Sequence, residues 1–395
     1  MAGVQTSLRE ANRALVIDAV RRFGGLTQVE LAEATGLSPS TVSAIVKELL
    51  AVGAVTTRTT VRNGRRAVMV TMHRRAGLAA GVHIGARHLE VVLADAADEV
   101  LARHVLPLAH EHRADVTLDR TALLVLELLG RVGATLDEVV GVGIGVSAPV
   151  DRSTGAVIGP GLLRGWEEVP IVETIFERLG RPVFVDKDAN LGALAELTRG
   201  AGRAYRDFLY VRASHRTSAG VVIDRAVYRG VSWTAGEIGH TRVVPGGDIC
   251  VCGGRGCLDT VAGTRALVAP LAGSHGSLTL ADVVRGASEA DPGCARVVAD
   301  AGTVIGEVVA NVLAALSSQA VVVGGELAAT GEVFIGPIRR AIRQRASLAP
   351  GEWSPVVAAE LGPDADIVGA IAMVMAETDV SRSLVGGDVV TGSVG

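Results

Sequence analysis

Four side chains able to bind a metal lie close together in a glycine-rich stretch near the middle of the sequence, GHTRVVPGGDICVCGGRGCLD at 239–259. They are His240, Cys250, Cys252 and Cys257. One imidazole and three thiolates are typical of a closed tetrahedral zinc site, which leaves no position open for a catalytic water. The intervening glycines let the backbone turn tightly enough for these ligands to converge. The pattern predicts a structural Zn²⁺, with reduced cysteines that bind no metal as the alternative.

The composition argues against a disulfide-rich or membrane-spanning protein. Only four cysteines occur in 395 residues, and Cys294, which lies outside the cluster, is expected to be a small buried apolar residue. No apolar run reaches the length of about 18 residues that a membrane span needs. The N-terminus turns polar at once and lacks the apolar centre of a signal peptide. We therefore expect a cytoplasmic protein that makes no contact with membrane.

Charge is distributed unevenly along the chain. Residues 1–75 carry eleven Arg and Lys against five Asp and Glu, a net charge of +6, whereas the remainder carries 27 against 37, a net charge of −10. A basic segment on an acidic body suggests a polyanionic partner for one end only.

The basic segment has the pattern of a helix-turn-helix. Apolar residues recur at helical spacing in 12–23, and Thr27 with Glu30 predicts a capping box at the start of a second helix. Gly36 provides a turn, after which Ser38 suits the N-cap of a third helix that ends near residue 52. Two short helices joined by such a turn are typical of DNA-binding domains whose last helix enters the major groove.

A basic hairpin follows the third helix. Residues 54–72 alternate in polarity on both sides of Asn63-Gly64, which is a strong signal for a two-residue hairpin turn. We expect this wing to touch phosphates or the minor groove while small polar residues of the third helix reach base edges. The predicted DNA-contacting residues are Ser38, Ser40, Thr41, Ser43, Lys47, Arg62, Arg65 and Arg66. A helical protein-interaction module with a stabilising hairpin is the alternative.

From residue 79 onward, apolar strands alternate with helices, which predicts a large α/β body with one helix at about 119–136. This body resembles the ROK family of sugar kinases, repressors and uncharacterised reading frames. The strongest match is AGEIGHTRVVPGGDICVCGGRGCLD, supported by GAVIGPGLLRGWEEVP, VPIVETIFERLGRPVFVDKDANLGALAE and VVVGGELA. With its winged head, the chain is similar to the repressor branch, which includes xylose and N-acetylglucosamine repressors.

The resemblance covers nearly all of residues 1–380 and implies two actin-like lobes with a cleft between them. The implied division is a winged helix-turn-helix domain at 1–78, lobe one at 79–186 plus about 366–378, lobe two with the zinc motif at 187–365, and a flexible tail at 379–395.

The resemblance also implies ligand-binding residues. Glu237 and His240 match positions that bind sugar hydroxyls, and Asp259 stands where the family has a glutamate in the same role. Asp188 matches the catalytic base of the kinases, with a role as helix N-cap as the alternative. Lys187 replaces an asparagine of the family, and we expect it either to compensate the charge of Asp188 or to contact an acidic or phosphorylated ligand.

The phosphate-binding loops of the kinases are largely replaced. In HIGAR at 83–87 a histidine stands in place of an aspartate, and Ala and Arg in place of Gly and Thr or Ser. SHRTSAG at 214–220 replaces a Gly-Thr-Gly-Ile-Gly run, whereas Gly324-Gly325 remains. Side chains that intrude into a backbone cradle block the close approach of phosphates.

The sequence therefore predicts a zinc-containing repressor of sugar uptake or catabolism without enzymatic activity. We expect it to bind double-stranded operator DNA as a homodimer or homotetramer and to respond to a sugar or sugar derivative. One alternative is a DNA-binding regulator whose body serves only oligomerisation or protein docking. The other is an active ATP-dependent sugar kinase.

Overall fold

The computed structural model describes residues 9, 11–17, 19–20, 25–62, 65–72, 77–97, 99–109, 112–159, 162–345 and 354–378. The predicted tail at 379–395 and the predicted Asn-Gly turn at 63–64 lie outside these residues.

The N-terminal domain is a three-helix unit with a three-stranded antiparallel sheet. Its elements are α1 (11–17 and 19–20), β1 (Leu26–Thr27), α2 (Gln28–Thr35), α3 (Pro39–Ala51), β2 (Val55–Arg62) and β3 (Arg65–Met72). The predicted capping box is present, because the Thr27 hydroxyl accepts from Glu30 N and the Glu30 carboxylate accepts from Thr27 N at 2.8 Å. Strand β1, which the sequence pattern does not predict, pairs antiparallel with β3.

The body contains two five-stranded sheets with the same topology. The first sheet consists of β4 (Leu78–Ile84), β5 (His88–Asp95), β6 (Val100–Pro107), β7 (Val139–Val146) and β8 (Val183–Lys187). The second consists of β9 (Phe208–Ala213), β10 (Thr217–Ile223), β11 (Ala226–Tyr228), β12 (Ala320–Gly324) and β13 (Val356–Ala358). The spatial order is β6-β5-β4-β7-β8 in the first sheet and β11-β10-β9-β12-β13 in the second. In each sheet the first three strands along the chain form an antiparallel meander, and the last two strands add in parallel beside the first. Each sheet is the centre of one α/β lobe.

Helices α4 (Ala114–Val132) and α5 (Ile171–Leu179) cover the outer face of the first sheet. The sequence predicts α4 at about 119–136, whereas the helix begins at Ala114 and ends at Val132. Ala114 and Leu118 are buried and extend the apolar face backward, while Gly133 adopts φ 68° and ends the helix as its C-cap.

The two lobes are joined by a pair of helices, α6 (Asp188–Arg199) and α13 (Ala365–Glu377), which pack against each other between the sheets. The glycine at 369 allows this close approach, because a Cβ there would lie 2.0 Å from the carbonyl oxygen of Leu191. Gly220 of β10 has the same role, since a Cβ would lie 2.4 Å from Ala189 O. Gly220, the glycine that the loop at 214–220 shares with the phosphate-binding loop of the kinases, is thus required by helix–sheet packing.

The outer face of the second sheet is covered by α7 (Leu258–Ala262), α8 (Thr264–Val268), α10 (Leu280–Ser288), α11 (Pro292–Leu316) and α12 (Glu332–Arg345). The short helix α9 (Ala272–His275) lies between α8 and α10 in the chain and has no buried residue. Among the unbroken helices of the described residues, α11 is long and apolar enough to cross a membrane by length and composition. It packs along α12 and α10 in the core of the second lobe, which accounts for its apolar composition.

Candidate metal centre, ligand cleft and DNA interface

The four predicted metal ligands converge in the loop between β11 and α7. His240 Nδ1 lies 3.4 Å from Cys250 Sγ, Cys252 Sγ lies 3.7 Å from Cys257 Sγ, and all four ligand atoms lie within 4.8 Å of one another. A tetrahedral Zn²⁺ with bonds of about 2.0–2.3 Å would separate its ligands by about 3.3–3.8 Å. The separations of 3.4 and 3.7 Å match that range, and the donor set is that of a four-coordinate zinc site.

Glycines let this metal loop fold. Cys250 N donates to the carbonyl of Gly254 at 2.8 Å and closes a tight turn in which Gly253 has φ +83°. A Cβ at Gly256 would lie 1.7 Å from the carbonyl oxygen of Val244, so no other residue fits there. Burial raises the pKa of the Cys257 thiol to about 12, which means that a bound cation would have to displace its proton.

A cleft between the lobes brings together all five predicted ligand-binding residues. Its lining includes Lys187, Asp188, Glu237, His240 and Asp259. His240 is shared between cleft and metal loop, because its Nδ1 faces the thiol of Cys250 while its Nε2 lies 4.0 Å from Glu237 Oε2. Asp259 Oδ1 accepts from the backbone N–H of residue 217 at 2.9 Å, and burial raises the pKa of Asp259.

Lys187 is paired with Glu237 and not with Asp188. Its Nζ lies 2.8 Å from Glu237 Oε1 and 2.7 Å from the carbonyl oxygen of Ala235, and its side chain is only 2% exposed. The prediction that Lys187 compensates the charge of Asp188 is therefore wrong. Lys187 is the last residue of β8 and Asp188 the first of α6.

Asp188 is compensated by Arg212, which the sequence analysis did not single out. Arg212 Nη1 lies 3.3 Å from Asp188 Oδ2, and its Nη2 and Nε lie 2.8 and 2.9 Å from Asp366 Oδ2. Ser147 Oγ donates to Asp188 at 2.7 Å, and His83 Nε2 lies 3.9 Å away. Burial opposes ionisation of Asp188, but Arg212, His83 and Ser147 outweigh it and hold the pKa of this carboxyl well below its ordinary value.

Histidines and a carboxylate occupy the region of the two altered loops. His83 Nδ1 lies 3.3 Å from His88 Nε2, and burial together with the neighbouring His83 lowers the pKa of His88 to about 4. Glu326 follows the retained Gly324-Gly325 pair and accepts a hydrogen bond from Ser214 Oγ at 2.7 Å. Its carboxylate thus faces the part of the cleft where the family's kinases are expected to hold phosphates.

The predicted recognition helix presents a polar face to solvent. Ser38 caps α3 by accepting from Thr41 N at 3.2 Å, and its Oγ also lies 2.8 Å from Ser40 Oγ and from Thr41 Oγ1. Ser40, Ser43 and Lys47 are exposed, whereas the opposite side of α3 is buried in the domain core.

The wing is formed by β2 and β3, in which the backbones of Arg62 and Arg65 are paired at the end of the hairpin. The side chains of Arg62, Arg65 and Arg66 lie outside the described part of the chain, and their predicted contacts with DNA remain predictions.

Comparison with protein families gives two matches along the chain. Residues 79–377 match the model described as the ROK family, and residues 10–67 match the model described as the MarR family. A xylose repressor of Caldicellulosiruptor bescii is 25% identical over 391 residues, an alignment that covers 95% of this chain and 98% of the relative.

Solved structures share both parts of the fold. A ROK family transcriptional regulator described as a homologue of the E. coli MLC protein superposes with a TM-score of 0.77 at 23% identity, over 95% of this chain and 99% of that chain. A ROK family glucokinase from Streptomyces griseus, in complex with glucose and AMPPNP, superposes with a TM-score of 0.68 at 27% identity, over 75% of this chain and 99% of that chain. The predicted fold, a winged helix-turn-helix followed by a two-lobed actin-like body, is confirmed.

Proposed function

This chain belongs to the ROK family, and we propose that it is a DNA-binding repressor of sugar uptake or catabolism whose body binds an effector and transfers no phosphate. One observation carries the proposal: a capped, polar recognition helix with a wing precedes a sugar-kinase-like body, and a xylose repressor matches the chain through both parts. The protein then acts in the cytoplasm, where its DNA is.

The polar face of α3 supplies base contacts, and the wing supplies phosphate contacts. Ser40, Ser43 and Lys47 lie on the exposed side of a helix that a major groove accommodates. Wing arginines neutralise phosphates and fix the register of the domain on the duplex. Two heads of a homodimer, or of half a homotetramer, would read half-sites about one helical turn (~10 bp) or a multiple apart.

We assign Zn²⁺ to His240, Cys250, Cys252 and Cys257. The ion supplies folding free energy to a loop in which Val244, Ile249 and Val251 are exposed. Ligation through Nδ1 of His240 leaves the ring proton on Nε2, which turns toward the cleft and Glu237. The metal loop therefore fixes a hydrogen-bond donor for an effector hydroxyl.

The effector site combines Glu237, His240, Asp188 and Asp259, whose carboxylates and imidazole suit paired hydroxyl groups. Lys187 uses two of its three protons on Glu237 and Ala235, so one proton remains for a ligand oxygen. We assign the lobes as predicted, with residues 79–186 plus about 366–378 in one and residues 187–365 in the other.

The same contacts disfavour phosphoryl transfer. A general base works best when its pKa lies near the operating pH, and Arg212 holds the pKa of Asp188 far below that. The carboxylate of Glu326 would repel a nucleotide phosphate at the retained Gly-Gly turn.

Fluorescence anisotropy with DNA from upstream of the protein's own gene tests the proposal. We expect salt-dependent binding that Ser43→Ala weakens for this sequence but leaves unchanged for non-specific DNA. Thr303→Ala, a small hydroxyl loss on the remote helix α11, is the matched control. Equal affinity of the wild type for upstream and scrambled DNA would contradict a sequence-reading function.

A further inference from the structure

A second group of potential metal ligands lies at the start of α11, outside the ligand cleft. His275 ends α9, Asp291 is the N-cap of α11, and Cys294 lies in the first turn of that helix. Their ligand atoms all lie within 4.8 Å of one another, and none of the three residues lines the cleft. Cys294 is buried as the sequence predicted, but it is not isolated from other chemistry-bearing side chains.

The two oxygens of Asp291 have separate surroundings. Oδ1 accepts from the backbone N–H of Cys294 at 2.8 Å and caps the helix, whereas Oδ2 lies 3.1 Å from His275 Nε2. A metal with bonds of about 2.0–2.1 Å to nitrogen and oxygen separates neighbouring ligands by about 2.9–3.4 Å. The Oδ2 and Nε2 atoms are thus spaced as two ligands of one ion, and the capping oxygen would not have to move.

The hydrogen bonds of Ser274 orient His275 for ligation. Ser274 Oγ donates to the carbonyl of Leu271 at 3.3 Å and lies 2.7 Å from His275 Nδ1, so the hydroxyl can accept the Nδ1 proton when Nε2 binds an ion. With no ion bound, Nε2–H of the other tautomer donates to Asp291 Oδ2 at 3.1 Å, and a cation at this position would replace that proton. A hydrogen bond that fixes the outer ring nitrogen is typical of metal-bound histidines.

The third ligand is aimed into the same space. Cys294 is 3% exposed, and its sulfur and the His275 ring each pack against a glycine. A Cβ at Gly286 would lie 2.7 Å from Cys294 Sγ, and one at Gly293 would lie 3.2 Å from His275 Cε1. The side chains of His275 and Asp291 are 29% and 33% exposed, which gives an ion a path from solvent.

We propose that His275, Asp291 and Cys294 form a second metal site, for a divalent ion of the zinc and cobalt class. One nitrogen, one oxygen and one sulfur ligand suit these ions, and three protein ligands leave a coordination position for water. The ion in such an open site exchanges, unlike one held by four protein ligands. It would join α9 to the N-terminus of α11.

Cobalt titration tests this site in the intact protein. Protein that retains its tight equivalent of Zn²⁺ is titrated with Co²⁺, and absorption from thiolate-to-cobalt charge transfer reports ligation by cysteine. We expect one further equivalent per chain. Asp291→Asn keeps an acceptor that caps the helix but weakens Co²⁺ binding at least about tenfold, the order by which even supporting partners affect metal affinity. Cys294→Ala removes the charge-transfer band.

His104→Gln, in strand β6 of the other lobe, is the control for loss of a histidine and leaves the titration unchanged. Absence of a thiolate band in the wild type, a band that persists in Cys294→Ala, or equal affinity in Asp291→Asn would each overturn the proposal. None of these results depends on whether the protein binds DNA or a sugar.

Discussion

The guanidinium of Arg212 lies 3.3 Å from the carboxylate of Asp188, at the position where the kinases of the family are expected to have their catalytic base. The same guanidinium binds Asp366 of α13 through Nε and Nη2. Asp188 is thereby part of a buried charge cluster, in which Arg212, His83 and Ser147 outweigh burial and lower the pKa of its carboxyl. Under the proposed function, this pairing disfavours phosphoryl transfer by Asp188.

The first prediction concerns catalysis. We expect no sugar-dependent release of ADP from ATP, because the pKa of Asp188 is too low for a base and the phosphate loops carry side chains. A coupled ADP assay across hexoses, pentoses and amino sugars measures this, with a bacterial glucokinase of the same family as the positive control. Turnover that Asp188→Asn abolishes would show that the body is an active kinase.

The second prediction concerns the stability of the Arg212 cluster. Arg212→Met leaves two buried carboxylates without their cation and should lower the free energy of unfolding by about 3–5 kcal/mol at pH 7. Urea unfolding measures the change. Arg296→Met, which alters an exposed arginine on α11, should change it by less than about 0.5 kcal/mol.

The pH dependence of the same variant is a separate check. The folded-state pKa of Asp188 is depressed, so its ionisation contributes stability above the unfolded pKa of about 3.9, and that contribution is lost as the pH falls toward the folded value. The stability gap between wild type and Arg212→Met should therefore narrow on acidification below about pH 4. A gap that widens in acid would contradict the assigned charge state.

The fourth prediction concerns the metal loop. Cys257→Ser should lose the tightly bound Zn²⁺ that survives dialysis against a weak chelator, because three remaining ligands no longer close the site. We also expect weaker effector binding, since His240 loses its fixed orientation, while affinity for DNA in the absence of effector is retained. Zinc analysis and calorimetry measure the two effects. Cys294→Ala, outside the four-ligand loop, should retain this equivalent of zinc.

The fifth prediction separates two roles of Ser38. Ser38→Ala removes the N-cap of α3 and should cost about 1 kcal/mol of stability. Ser38→Asp retains a capping oxygen but places a negative charge next to DNA, so it should preserve stability and abolish binding. Thermal unfolding and anisotropy distinguish the variants. A Ser38→Asp protein that binds DNA normally would place the α3 terminus away from the duplex.

Sequence reasoning succeeded where the relevant residues are close in the chain. The capping box of Thr27 and Glu30 involves residues three apart, and the four predicted metal ligands lie within 18 positions, so spacing and residue type were sufficient to predict the capping box and the convergence of these four side chains. The wrong predicted end of α4 also concerns a local feature. Gly133 ends the helix in the left-handed conformation that glycine favours, so this glycine could have marked the helix end in the sequence.

The pairing of charges in the cleft was beyond the reach of local patterns. Lys187 was expected beside its neighbour Asp188, yet it bonds to Glu237, which lies 50 residues away. Arg212 forms a hydrogen bond with Asp366, which lies 154 residues away in the sequence. The only unusual feature of Arg212 in the sequence is its position near the end of an apolar strand, just before an altered loop. Which buried cation meets which carboxylate depends on how sheets and helices pack, and periodicity does not contain that information.

The most direct test of the central claim is release of bound DNA by a cleft ligand. A panel of sugars and sugar phosphates is added to the zinc-loaded protein on its upstream DNA, and anisotropy is followed for the wild type and for Glu237→Gln, with Glu307→Gln on α11 as the matched control. We predict that one compound releases the DNA from the wild type and from the control but not from Glu237→Gln. Tight DNA binding that no compound relieves, or release that is equally effective in Glu237→Gln, would contradict a sensory role for the cleft.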